Sequence, residues 1–188
     1  MITNEINIVI GSWGSYNACN ERALGSKWLN LSNYSNWEEI EEELKKQGFD
    51  LNGLDEELFI QDIEGIDAIN NWDYENPKQL FEILQESEVL TDDYKYEVMQ
   101  AYLEIRTFDD WKRLVDSYGS SWDNDIILYK NKDRYDLGYE LLHECYQIPD
   151  YLDNYIDYEK FGEELRFDGP WISQQYAGWF QQRFWSLS

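Results

Sequence analysis

Thirty-nine carboxylates are the chemistry this sequence holds in excess, and only fifteen lysines and arginines oppose them. Two carboxylates facing each other across a substrate could do acid–base work, but no spacing in the chain fixes such a pair. The other catalytic candidates are thin. His143 is the only histidine, so any Ser–His or Cys–His dyad must use it. It falls inside a predicted helix beside Glu144 and Cys145, where a helical histidine is the plainer reading. Metal ligation by His143 and Cys145 fails because residues two apart on a helix do not face each other. Asp123-Asn124-Asp125 resembles the opening of a calcium loop, but the sixth-position glycine and twelfth-position glutamate are missing. No phosphate-cradling G-x-x-x-x-G-K-[ST] or G-x-G-x-x-G occurs. An enzyme is unsupported, and no cofactor is implied.

The carboxylates themselves are arranged. Their densest run is Trp37–Lys46, WEEIEEELKK. Ser35 as N-cap with Glu38 three residues on predicts a capping box, and Trp37, Ile40 and Leu44 share one face. Gly48 sits where the helix should end. Glu38, Glu39, Glu41, Glu42 and Glu43 fill the outward positions, although like charges on neighbouring turns disfavour a helix by a few tenths of a kcal/mol per pair. A solvated helix face is the simple explanation for one such helix. Asp55 and Glu56 follow, then Asp92, Asp93, Asp109 and Asp110 at helix starts, where the macrodipole favours acids in any case. Glu163 and Glu164 lie near the end.

The net charge of −24 is not spread evenly. Residues 1–35 and 171–188 are close to neutral, so residues 36–170 carry nearly all of it. Duplex DNA has one charge per ~1.7 Å of axis, so a net of this size matches roughly 40 Å of duplex, the scale of a DNA-binding groove. A protein that binds nucleic acid unaided needs a basic footprint and is excluded, whereas a basic partner is favoured.

The elements that must position these groups form three runs. Ile6–Ile10 predicts a strand closed by Gly11, and residues 12–20 read as turn. Arg22–Leu31 predicts a second strand, the acidic helix follows, and Leu58–Ile63 predicts a third strand. Residues 1–65 thus read as a β-β-α-β module. Asn76-Pro77, Thr91 and Thr107 open three helices, the last ended by Gly119, which makes 66–120 a helical module. In 121–188, Ile126–Tyr129 predicts a strand and Asp136–Tyr146 a helix stopped before Pro149. Asp157 caps a further helix with Phe161 and Leu165. The final stretch, with Ile172, Tyr176, Trp179, Phe180 and Phe184, suits either a helix or two strands. The fold class is α+β, with three small modules in an elongated chain that relieves the self-repulsion.

Aromatic residues make up 17% and hydrophobic residues 43% of the chain, which argues against disorder. Cys19 and Cys145 read as free thiols. The N-terminus shows no signal-peptide pattern and no apolar run reaches membrane-spanning length, so the expectation is a soluble cytoplasmic protein.

Three stretches together resemble the ArdA antirestriction family. They are INIVIG with Tyr16-Asn17, Leu24-Gly25 and Trp28; the acidic helix feeding LFIQDIEG; and LDNYIDYEKFGEEL after Pro149. The resemblance implies a DNA mimic of phages and mobile elements that occupies the DNA-binding groove of Type I restriction–modification enzymes. It implies three modules in a row, a homodimer formed through the C-terminal module, strands around Trp179-Phe180, and no catalytic residue. The tail QQRFWSLS, aromatic and nearly neutral, departs from that pattern. On this reading Glu38, Glu41, Glu42, Glu43, Asp55, Glu56, Asp92, Asp93, Asp109, Asp110, Glu163 and Glu164 stand in for phosphates. The alternative is an acidic interaction module whose basic partner, a regulator or another defence protein, is not a DNA-binding groove. A hydrolase using paired carboxylates is the weakest reading.

Overall fold

A computed structural model describes residues 5–66, 76–104, 106–124, 126–130, 132–168 and 178–182. The class is α+β, with eight α-helices and five strands among the described residues. The chain divides into two compact units, Met1–Met99 with Thr107–Trp122, and Gln100–Arg106 with Asp123–Ser188.

In the first unit, β1 (Asn7–Ser12) lies between β2 (Leu29–Asn30) and β3 (Leu58–Glu64) in an antiparallel sheet. Ile8 stands opposite Leu29 and Ile63, and the β1–β3 register shifts between Val9 and Ile10. Ile6, Ile8 and Ile10 are fully buried, and Val9 and Ser12 are buried as well, as expected of a central strand covered on both faces. Helix α2 (Trp37–Lys46) buries Trp37, Ile40 and Leu44 as its spacing predicts.

Three local expectations change here. Residues read as turn form α1 (Trp13–Ala18), because Ser12 caps it, accepting from Ser15 N at 3.2 Å. Cys19, in the left-handed region at φ 49°, ends it. The second strand shrinks to Leu29–Asn30. Asn20 caps a tight turn over Glu21–Leu24 instead, and Gly25 at φ 82° redirects the chain. The cap of α2 is Asn36 and not Ser35: the Asn36 side chain accepts from Glu39 N at 3.0 Å, while the Glu39 carboxylate accepts from Ser35 N at 2.8 Å.

Helices α3 (Pro77–Glu86), α4 (Asp93–Leu103) and α5 (Phe108–Tyr118) follow. Asn76 caps α3 with Pro77 in its first turn, and Thr107 with Asp110 makes a full capping box for α5. Thr91 does not open α4. Asp92 does, accepting from Tyr94 N and Lys95 N at 2.9 and 3.1 Å. The helices join the sheet layer through Trp37 against Phe81, 6.3 Å between rings, and through Tyr96 Oη, which donates to Gly65 O at 2.7 Å. Trp111 is fully buried, edge-on to Trp122, whose indole N–H donates to Ser87 O at 3.0 Å.

In the second unit, β4 (Ile126–Lys130) pairs antiparallel with β5 (Gly178–Gln182), Leu128 opposite Phe180 and Tyr129 opposite Trp179. That section of the final stretch is therefore strand. Helix α6 (Arg134–Cys145) begins two residues before the expected Asp136, because Asp133 caps it, accepting from Asp136 N at 2.9 Å. The short α7 (Asp150–Asp153) was not expected from the sequence, and α8 (Tyr158–Asp168) starts at Asp157 as predicted. Ile105, residues 169–177 and residues 183–188 lie outside the described residues.

Helices α6 and α8 meet on bare backbone. A Cβ on Gly138 would stand 2.1 Å from Tyr158 O, and one on Gly162 would stand 2.0 Å from Arg134 O. Beside this crossing Tyr139 stacks on His143, 4.0 Å between rings, and Tyr158 packs edge-on to Tyr135 and Tyr139.

Candidate partner-binding surface

Burial of Trp37, Ile40 and Leu44 decides which carboxylates of α2 face outward. Glu38 and Glu42 are exposed, with no partner among the described residues. Glu41 is half-buried, accepting from the Trp37 indole N–H at 2.9 Å with Lys45 3.9 Å away. Glu43 pairs with Lys46 at 3.4 Å and accepts from Gln47 Nε2 at 3.3 Å. Exposed ion pairs of this kind contribute little stability and exchange readily for a better partner.

The helix-start acids divide in the same way. Asp93 and Asp109 are exposed in the first turns of α4 and α5. Asp92 is the cap of α4, and Asp110 serves the Thr107 capping box and pairs with Arg113 at 3.3 Å. In the second unit Glu163 pairs with Arg134 at 3.2 Å, and Glu164 with Lys160 at 3.8 Å.

Asp55 is a correction. It is fully buried and holds α1 to the loop before β3, so it presents no charge to a partner. Its carboxylate accepts from the Ser15 hydroxyl and from Asp50 N at 2.8 Å, and Arg22 Nε lies 3.4 Å away. Burial pushes its pKa up. The Ser15 and Ser12 hydroxyls, the Asp50 N–H and the Arg22 guanidinium more than offset that and leave it below the ordinary value. Asn20 Nδ2 donates to Ser15 Oγ at 3.0 Å, which completes the network.

Two of the candidate residues, Glu41 and Glu56, line one groove of about 510 Å³. Its other walls include Trp13, Trp37, Glu57 and Lys78. Trp13 and Glu57 are not evident as site residues in the sequence, because a stretch read as turn gives Trp13 no face. The signal was Ser12 three residues before Ser15, a helix start.

Among the described residues, no group of three or more His, Cys, Asp or Glu side chains is placed to hold a metal ion. No helix of the described residues is long and apolar enough to cross a membrane. A family model described as antirestriction protein (ArdA) matches residues 8–177. No curated protein matches the chain.

Proposed function

The chain belongs to the ArdA family of antirestriction proteins, and from that premise we propose that it occupies the DNA-binding groove of a Type I restriction–modification enzyme as a mimic of DNA. The family carries antirestriction function and an interaction with restriction–modification enzymes. The observation that supports mimicry is that Glu38, Glu42, Glu56, Asp93 and Asp109 are exposed, with no partner among the described residues, in a chain of net charge −24. Carboxylates left unpaired by their own fold are available to the lysines and arginines that would otherwise hold phosphates.

On this reading the protein is a cytoplasmic inhibitor with no turnover, and it works as a homodimer. Association is fast because net charge steers it, and it weakens with salt. Binding to a purified Type I methyltransferase core tests this, with duplex DNA as competitor at low and high salt. Mutually exclusive, salt-sensitive binding is the expected result. Binding alongside DNA would show an adaptor, and absence of binding would remove Type I enzymes as the target. Within the complex, replacing Glu38, Glu42, Glu56, Asp93 and Asp109 together by Gln or Asn weakens binding by more than about tenfold, while each change alone has little effect.

A further inference from the structure

We infer that the groove walled by Trp13 and the Glu41, Glu56 and Glu57 carboxylates receives an arginine side chain of the partner protein. The inference rests on the reading that the partner is basic. It adds a feature that phosphate mimicry leaves unexplained, because a stand-in for a sugar–phosphate backbone needs no aromatic wall.

Trp13 is 41% exposed and Trp28 45%, whereas Trp37, Trp111 and Trp122 in the same unit are buried. Trp13 is also held rigidly. Its ring stacks on Phe59 with centroids 4.3 Å apart, and its backbone N–H donates to Glu57 O at 3.0 Å. At Gly14, the next residue, a Cβ would stand 1.7 Å from Leu54 O, so this backbone lies directly on its neighbour. A half-exposed indole, stacked on Phe59 and met edge-on by Tyr16 at 5.9 Å, stands beside carboxylates and is a site for a flat cation, which gains from the ring quadrupole and from charge pairing together.

Glu41 is oriented by the Trp37 indole N–H and, as a carboxylate, keeps acceptor positions free. Glu56 and Glu57 are exposed and add two charges. Lys78 and the amino end of α3 form a wall of opposite sign, but Lys78 lies 3.8 Å from Glu82, and Asn76 caps two of the free α3 amides. Three carboxylates therefore face the one ammonium that lines the groove, with a second, Lys45, 3.9 Å from Glu41 on the α2 side. An anionic nucleotide would meet those carboxylates, and an apolar side chain would leave them unpaired. Arginine fits better than lysine, because guanidinium is planar, weakly hydrated and stacks on indole.

The test follows the indole ¹H–¹⁵N resonances of the intact chain while acetyl-Gly-Arg-Gly-amide is added, with the citrulline and lysine peptides as controls. The Trp13 and Trp37 indole signals should move saturably with the arginine peptide and stay still with the citrulline peptide. The lysine peptide should need about tenfold more for the same shift. Trp13→Ala should weaken arginine binding about tenfold, and Trp13→Phe, which keeps a ring on Phe59, by about threefold. Glu56→Gln should weaken it without touching the core. Equal response to lysine, or shifts that survive Trp13→Ala unchanged, would overturn the inference. A folded Trp13→Ala protein that inhibits restriction as well as wild type would also overturn it, with the antirestriction reading intact. A groove that binds the arginine peptide in a protein that binds no methyltransferase core would instead remove the target and leave the groove standing.

Discussion

The two units of this acidic chain hold themselves together by different means. The first wraps its charge around an apolar core in which Ile8, Ile10, Leu44, Phe81 and Trp111 are buried. In the second, two helices meet on backbone at Gly138 and Gly162 beside stacked Tyr–His rings, over a core in which Ile126, Leu137 and Leu141 are buried. The difference reaches the candidate surface. Glu38, Glu42, Glu56, Asp93 and Asp109 in the first unit are exposed and have no partner among the described residues. Glu163 and Glu164, the candidates in the second unit, are paired with Arg134 and Lys160. Pairing alone does not separate the units, since Glu41, Glu43 and Asp110 in the first are paired as well; the first offers in addition exposed candidates with no partner among the described residues.

The sharpest way to break this contrast is at the glycine crossing. Gly162→Ala pushes a methyl into the Arg134 carbonyl, a backbone atom that cannot step aside, and should destabilise the second unit by about 3 kcal/mol. Hydrogen exchange followed by mass spectrometry should show lost protection over 134–168 and unchanged protection over 5–66. If both regions lose protection together, the units are not independent in stability.

The corresponding weak point of the first unit is polar. Asp55→Ala leaves Arg22, itself partly exposed, without its buried counter-charge, and should cost about 2–3 kcal/mol in denaturant unfolding. The sign with pH is fixed by the lowered pKa. The folded state holds the ionised form more firmly than the unfolded chain, whose ordinary value is 3.8, so the stabilisation is fully present above about pH 4. It is lost as pH falls through the lower folded value. The stability difference between wild type and Asp55→Asn should shrink with acidification below pH 4 and stay level above it.

Asp55 also shows where the sequence stops being legible. The face of α2, the Asn76-Pro77 start and the Thr107 cap are local patterns, and each is found in the structure. Asp55-Glu56-Glu57 reads as one more acidic stretch, because nothing local reveals that Ser15 and Arg22 come back to meet its first member. The meeting of Gly138 with Tyr158, and of Gly162 with Arg134, is likewise non-local, and both glycines sit in ordinary helical patterns. Gly14, Asn17 and Asn20 suggested turn over residues 12–20. Gly14 stands there because its backbone lies on Leu54 O, and Asn20 because it caps the turn that follows the helix. The candidate surface was legible as composition, but burial alone separates Glu38 and Glu42 from Asp55.

Removing a local cap should cost less than either non-local change. Thr107→Ala deletes the side chain that accepts from Asp110 N at 3.2 Å and should cost about 1 kcal/mol. Thermal unfolding with and without the substitution reads it. A loss as large as that of Asp55→Ala would mean that the start of α5 is a keystone of the first unit and not a helix end.

The last contrast lies in the second unit and is read in alkali. The Tyr158 hydroxyl donates to Asp153 and sits beside the rings of Tyr135 and Tyr139. Burial, then the Asp153 hydrogen bond and charge, push its pKa up from 10.0 to about 12. The folded state thus holds the neutral phenol more firmly than the unfolded chain does. The resulting stabilisation is complete below pH 10 and is lost as pH rises from about 10 towards 12. Tyr158→Phe should remove one phenolate absorbance step with a midpoint near 12 and flatten the second unit's loss of near-ultraviolet circular dichroism over that range. A missing step centred near 10 would mean that Asp153 belongs to His143, 3.3 Å from it, and not to Tyr158.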